Sequence, residues 1–271
     1  MNSEFGFLQM NERPGKPRTT GLTEIRAAYY TPVGPRYLTD VLETMHPYVD
    51  SLKFAGGSFV LYPDEALTAV MHTAHDHGVL VSTGGFIERV LTQGRDAVDR
   101  YVAACKKVGF DVIELSAGFI TLPTDDWLRL VEKVQKAGMR AKPEVGVLFG
   151  AGGATPEALA SDALQDPEWA LARAERFLAA GAYLIQLESE GLTEDVTNWR
   201  TDIIARFASR LGIDKLMFEA SDPRVFTWYV QNYGPEVNLF VDHSQIVQLE
   251  ALRRGLWGTQ QVWGRVVTYK G

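Results

Sequence analysis

The chain has 271 residues, 46% of them hydrophobic, with a formal net charge of −7. That length suits one large core such as a single α/β barrel, and the acidic balance argues against nucleic acid as a partner, which would need a basic face. The single cysteine, Cys105, excludes an internal disulfide, no apolar run reaches membrane-span length, and the opening MNSEFGFLQMNERPGKPRTTG lacks an apolar signal-peptide core, so the expectation is a cytoplasmic protein with no membrane partner.

Residues 1–20 read as an irregular lead-in. The first strand is expected in GLTEIRA from residue 21 and the second in VDSLKFAGG from 49. PDEALTAVMHTAHDHG follows, with Leu67, Val70, Met71 and Ala74 at helical spacing and Gly78 closing the helix. The third strand is GVLVSTGG from 78, and RDAVDRYVAACKKVG after it repeats the helical pattern through Val98, Tyr101, Val102 and Cys105. FDVIELSAG from 110 is the fourth strand; TDDWLRLVEKVQKAG then opens on Thr124 as a cap with acidic first-turn residues. MRAKPEVGV from 139 is the fifth. The longest connection, GAGGATPEALASDALQ, reads as a mobile, lid-like loop with a short helix before the helix of DPEWALARAERFLAAG. AYLIQLESEG from 182, KLMFEAS from 215 and VNLFVDHSQ from 237 complete the strands, and SQIVQLEALRRG is the last helix. Residues 256–271 form a tail whose Trp257, Trp263 and Tyr269 pack under the body or make a subunit contact, which leaves a homo-oligomer open.

Eight strand-like runs alternating with helices predict a parallel sheet closed into a single (β/α)8 TIM-type barrel over residues 21–255. The first strand has no G-x-G-x-x-G after it, which weighs against an open dinucleotide-binding sheet. G-x-S-x-G, P-loop, H-E-x-x-H and C-x-x-C patterns are also missing, which removes common hydrolase, triphosphatase and zinc-protease readings.

In such a barrel ligands sit at the C-terminal ends of the strands, and here nearly every strand ends in polar side chains. The set comprises Glu24 and Arg26; Lys53 before Gly56 and Gly57; Ser82 and Thr83 before Gly84 and Gly85; Glu114 and Ser116; Lys142 and Glu144. It continues with Gln186, Glu188 and Glu190; Glu219 and Ser221; Asp242 and His243. Members two apart share a strand face, while Leu115, Leu187, Phe218 and Ala220 between them face the helices. The charged set therefore points inward. Carboxylates outnumber Lys53, Lys142 and Arg26, so Mg²⁺, a hard cation with oxygen ligands, is the natural complement; a closed ion-pair network is the structural alternative. The glycine pairs suit either an anion at the backbone or a tight turn. His243 suits an acid/base or a structural hydrogen bond, and Asp242 or Ser244 a helix cap. Arg253 and Arg254 read as structural, and His72, His75 and His77 as a solvated helix face.

Several strings occur together and in order: GLTEIRAAYY, RYLTDVLETMHPYVDSLKFAGGS, GFDVIELSAG, AKPEVGV, MFEASD and VNLFVDHSQIVQLEALRRGL. They resemble the phosphosulfolactate synthase family, most of all its branch with the plant heat-stress-associated proteins. The resemblance implies a carbon–sulfur lyase on a (β/α)8 barrel that, with Mg²⁺, adds sulfite to phosphoenolpyruvate and yields 2-phospho-3-sulfolactate. On that reading the partner is a small anionic metabolite. Glu144, Glu188 and Glu219 would hold the metal, Lys53 the phosphate or carboxylate, and Lys142 or His243 would move the proton. Arg26, Gly56, Gly57, Ser82, Gly84, Gly85, Glu114 and Ser116 would surround the substrate.

The chain also departs from the family pattern. KFAGGSF stands for KFGWGTS, and LSAG puts Ala117 at an Asp position. EVGVL puts Val147 and Leu148 at two lysine positions, and ESEGLT puts Glu190 at an arginine position. Two further readings follow: a non-catalytic role in heat tolerance through protein contacts, and a barrel enzyme retuned to another small phosphorylated or carboxylated metabolite.

Overall fold

The computed structural model describes residues 3–26, 32–148, 166–257 and 265–269. Its strands are β1 (Thr23–Arg26), β2 (Ser51–Lys53), β3 (Leu80–Ser82), β4 (Val112–Leu115), β5 (Arg140–Val145), β6 (Ile185–Leu187), β7 (Leu216–Glu219) and β8 (Leu239–Asp242). All pair in parallel with their sequence neighbours, and β8 pairs back onto β1, so the eight close into a barrel. Each lies within the run that the sequence marks.

The outer layer consists of α1 (Pro35–Met45), α2 (Asp64–Asp76), α3 (Ile87–Leu91), α4 (Arg95–Val108) and α5 (Thr124–Lys136), followed by α6 (Pro167–Ala179), α7 (Thr201–Leu211), α8 (Pro223–Tyr233) and α9 (Ile246–Arg253). The main core lies between sheet and helices, and Leu115, Leu187, Phe218 and Ala220 all belong to it. Their strand neighbours face the interior, where Leu22, Leu184, Met217 and Phe240 form a small apolar floor. Asp166 caps α6 by accepting from the Glu168 amide, as an Asp-Pro-Glu start favours. Thr124, expected as a cap, is instead the first residue of α5. Pro123 precedes it in an extended conformation and leads the chain into the helix without a side-chain cap.

The lead-in closes the N-terminal end of the barrel. Lys16 Nζ donates to the carbonyls of His46, Val49 and His77, and Arg18 Nε pairs with Asp50 at 2.9 Å. Arg253, completely buried, donates to the carbonyls of Gly21 and Val237 and to the Thr23 hydroxyl. The tail joins this end through Asn11, which donates to the Val266 carbonyl and accepts from Thr268. The lid-like stretch at 149–165 and Trp263 lie outside the described residues. Among the described residues no helix is long and apolar enough to cross a membrane.

Arg253→Met removes the donor to the Val237 carbonyl and the Thr23 hydroxyl, while the Gly21 carbonyl keeps Arg13. It is expected to lower unfolding free energy by about 1–3 kcal/mol in urea denaturation.

Candidate active site

A chain of ion pairs crosses the barrel interior. The β4–β5 register sets Glu114 beside Lys142, and the β1–β2 register sets Arg26 beside Lys53. Lys142 Nζ contacts Glu24 and lies 3.1 Å from Glu114 Oε2. Lys53 Nζ lies 2.8 Å from Glu114 Oε1 and 3.8 Å from Glu144 Oε2. Ser51 donates to the second Glu24 oxygen, and the Lys53 ammonium sits 4.3 Å from the centre of the Phe240 ring. Burial alone would raise the pKa of Glu114, but Lys53 and Lys142 outweigh it and hold the carboxyl below its ordinary range. Burial would likewise weaken Lys53; Glu114, Glu144, Glu219 and Glu24 outweigh it and keep the ammonium charged.

Above this chain a cavity of about 720 Å³ opens at the C-terminal mouth. Its cationic lining is Arg26, Lys53 and Arg89, against eight carboxylates, so negative charge is in excess. That excess is met by protons. Burial, with Glu114 and Glu188 nearby, pushes Glu144 well above the usual carboxylate range. Glu219 pairs with Arg26 at 2.9 Å, a contact that favours its ionised form. Burial and Glu188 nevertheless prevail over Lys53 and Arg26 and push Glu219 up to about 8. A single pair at the cleft edge offsets only part of the burial of the carboxyl. Glu188 is also raised by burial, and its Oε1 accepts from the Ser189 amide at 2.8 Å and the Glu190 amide at 3.3 Å. These amides orient the carboxylate at the start of the turn after β6.

The predicted site residues divide into two groups. Arg26, Lys53, Gly56, Gly85, Glu114, Ser116, Glu144, Glu188 and Glu219 line the cavity together. Gly57, Ser82, Gly84, Lys142 and His243 do not. Lys142 lies below Glu114 and is almost completely buried. A Cβ on Gly57, at φ 72°, would meet the Phe86 ring at 2.0 Å. A Cβ on Gly84, at φ 63°, would meet the Phe54 carbonyl oxygen at 2.2 Å, so both glycines serve close packing. Ser82 is wholly buried. His243 packs edge-on against Tyr37, with Nδ1 3.5 Å from Asp242, which caps the following turn. Of the histidines on α2 and just after it, His75 bonds to Asp111 and His77 to the Thr73 carbonyl.

Sequence reasoning missed Glu88, Phe86 and Phe119, all in the cavity wall. Glu88 lies on the short helix α3 and accepts from the Ser116 hydroxyl at 2.6 Å, the Gly118 amide at 3.0 Å and the Phe119 amide at 2.7 Å. The Ser116 hydroxyl is thereby committed to Glu88. An acid between Ile87 and Arg89 has the appearance of a helix-surface residue, so nothing in the local pattern marks it.

The family model of (2R)-phospho-3-sulfolactate synthase (ComA) matches residues 11–259 of this chain. The Arabidopsis thaliana protein HEAT-STRESS-ASSOCIATED 32 is 40% identical over 258 residues, which cover 91% of this chain and 90% of the relative. A phosphosulfolactate synthase of Methanothermobacter thermautotrophicus is 28% identical, covering 94% of this chain and 96% of the relative. Among solved structures, the carboxyl transferase domain of Rhizobium etli pyruvate carboxylase with pyruvate superimposes with a TM-score of 0.58 at 13% identity. That match covers 93% of this chain and 45% of the other, and it bears on the fold alone.

Lys142→Met leaves Glu24 and Glu114 buried without their shared cation. Unfolding in urea is expected to show a loss of roughly 3–5 kcal/mol. Adding Glu24→Gln should recover part of that loss, because it removes the charge left stranded, whereas Glu114 keeps Lys53.

Proposed function

The chain belongs to the phosphosulfolactate synthase family, and from that premise we propose that it is a lyase-type enzyme. With Mg²⁺ it would add sulfite, or a related nucleophile, to phosphoenolpyruvate or a similar small anionic substrate. One observation carries this reading: a charged lysine, Lys53, is fixed beside carboxylates that hold protons at the mouth of a closed barrel.

The donor set fits a hard cation. Glu144, Glu188 and Glu219 are oxygen donors lining the same cavity, and burial, reinforced by mutual repulsion, already raises Glu144 and Glu219. Among the described residues no group of three His, Cys, Asp or Glu is close enough to hold a metal by itself. Mg²⁺ is commonly held by one or two carboxylates, with waters and substrate oxygens completing its shell, so Glu188 with Glu144 or Glu219 suffices. Bound there, the ion would supply Lewis-acid stabilisation of charge developing on the substrate carboxylate.

Lys53 would anchor the phosphate or carboxylate, since its neighbours keep it charged at any working pH. In the addition, a carbon–sulfur bond forms at the terminal methylene carbon. The double-bond electrons move to the adjacent carbon and its carboxylate, and that carbon then takes a proton. Protonated Glu144, in the cavity and 3.8 Å from Lys53, would give that proton, which leaves Glu188 and Glu219 to the metal. Lys142 is a less suitable donor because its ammonium faces Glu24 and Glu114 beneath the cleft. It acts instead by keeping Glu114, and through it Lys53, ionised.

A second reading rests on the name of the Arabidopsis relative: a role in heat tolerance through protein contacts. One set of variants separates the two. Turnover of phosphoenolpyruvate, sulfite and Mg²⁺ is expected from the native chain, with kcat/KM lowered by about 100-fold or more in Glu188→Ala and Glu219→Ala. The contact reading is supported instead if the native chain gives no turnover while folded Ala variants still protect a host during heat challenge.

The proton-holding carboxylates also set a pH dependence. Glu219 is raised above its unfolded value, so its protonated form favours the fold. The penalty for ionising it grows as pH rises from the ordinary carboxylate range through about 8. Mg²⁺ held by Glu188 and Glu219 must displace the Glu219 proton, so its affinity should climb over the same window and level off above it. Thermal melts should show little Mg²⁺ stabilisation near pH 6 and a clear rise in Tm near pH 9; equal shifts at both would contradict this assignment.

A further inference from the structure

The cavity is larger than a three-carbon acid needs. Its volume, about 720 Å³, falls in the range that holds drug-sized ligands, about 300–1,000 Å³. The charged centre occupies one side, where Lys53, Glu144, Glu188 and Glu219 converge. The other side extends over the ends of β2, β3 and β4 and is lined by Ala55, Gly56, Phe86, Phe119 and Ile120, with Glu88, Arg89 and Thr92 along α3 at its edge.

This apolar arm is built rather than incidental. Phe86 rests edge-on against Phe59, with ring centres 5.5 Å apart, and its ring occupies the space that a Gly57 side chain would fill. Phe119 is 55% exposed, yet its backbone is fixed: Glu88 accepts from its amide and from that of Gly118 before it. The largely buried Glu88 carboxylate thus ties the loop after β4 to α3, the helix that Phe86 immediately precedes. An exposed aromatic side chain held over a cavity by a fixed loop is a contact surface for an apolar group.

We propose that the arm binds an apolar, preferably planar, extension of the substrate. The chain's own substrate is then a 2-oxo or enol acid with an aromatic or branched side chain, its acid end at Lys53 and its side chain between Phe86 and Phe119. This rests on the reading of the charged centre as the site of a small-acid lyase and deepens it by naming the class of acid.

The test is calorimetric titration of the full chain with Mg²⁺ present, using pyruvate and phenylpyruvate as probes. Phenylpyruvate is expected to bind roughly 10- to 100-fold more tightly, the gain from burying one ring. Phe119→Ala, at an exposed side chain outside the core, leaves the fold intact and should erase most of that preference. Equal affinity for the two probes overturns the proposal, as does a preference that survives Phe119→Ala. Failure of the charged centre itself looks different: phenylpyruvate would then bind with or without Mg²⁺ and equally well in Glu188→Ala, with its dependence on Phe119 retained. Absence of binding by either probe overturns both.

Discussion

Everything at the mouth of this barrel depends on the ion-pair chain Glu24–Lys142–Glu114–Lys53. Four charges are buried in an interior where each alone would be costly, and they are tolerated because each cation sits between carboxylates. Parallel strands with inward side chains at two-residue spacing bring them together, and the β4–β5 register aligns Glu114 with Lys142. The chain fixes the protonation of its uppermost member, Lys53. A charged Lys53 then defines a place in the cleft where an acidic group is welcome.

The two ends of the barrel differ in stoichiometry more than in burial. At the N-terminal end, buried cations meet backbone carbonyls and individual carboxylates: Lys16 donates to three carbonyls, Arg18 meets Asp50, and Arg253 ties strand ends together with its Nη atoms while its Nε stays without a hydrogen bond. At the C-terminal end the carboxylates outnumber the cations, and protons make up the difference on Glu144 and Glu219. A site that holds protons only because it lacks cations will exchange them for a metal ion or a basic ligand. A satisfied network has no such response, which is why the one end is structural and the other chemically competent.

Much of this was legible in the sequence because strand parity is a strict rule. The polar residues two apart on β4 and β5 and at the ends of β6 and β7 do face inward, and Leu115, Leu187 and Phe218 do face the helices. Parity gives direction but not height. Lys142 and Lys53 look alike in the sequence, yet one lies beneath the cleft and the other in it, a difference set by the stagger of neighbouring strands. The glycine pairs were ambiguous for a related reason. A left-handed backbone needs glycine whether the space above it takes a ligand or a side chain, and at Gly57 the occupant is Phe86. Glu88 left no trace at all, because its partners are backbone amides of a loop distant in sequence.

The positions that depart from the family pattern show that the change is built into the packing. Val147 and Leu148 are buried, and a Cβ on Gly191 would meet Leu148 Cγ at 2.6 Å and Val147 Cγ2 at 3.2 Å. The end of β5 therefore presses directly on the turn after β6, the same turn whose amides orient Glu188. A lysine at either position would have to bury its stem against that turn or push it outward, and pushing it outward would move Glu188. Positive charge here would thus either bury a lysine stem against the turn or displace a carboxylate of the proposed metal site. The apolar pair and the turn that orients Glu188 form one packed unit.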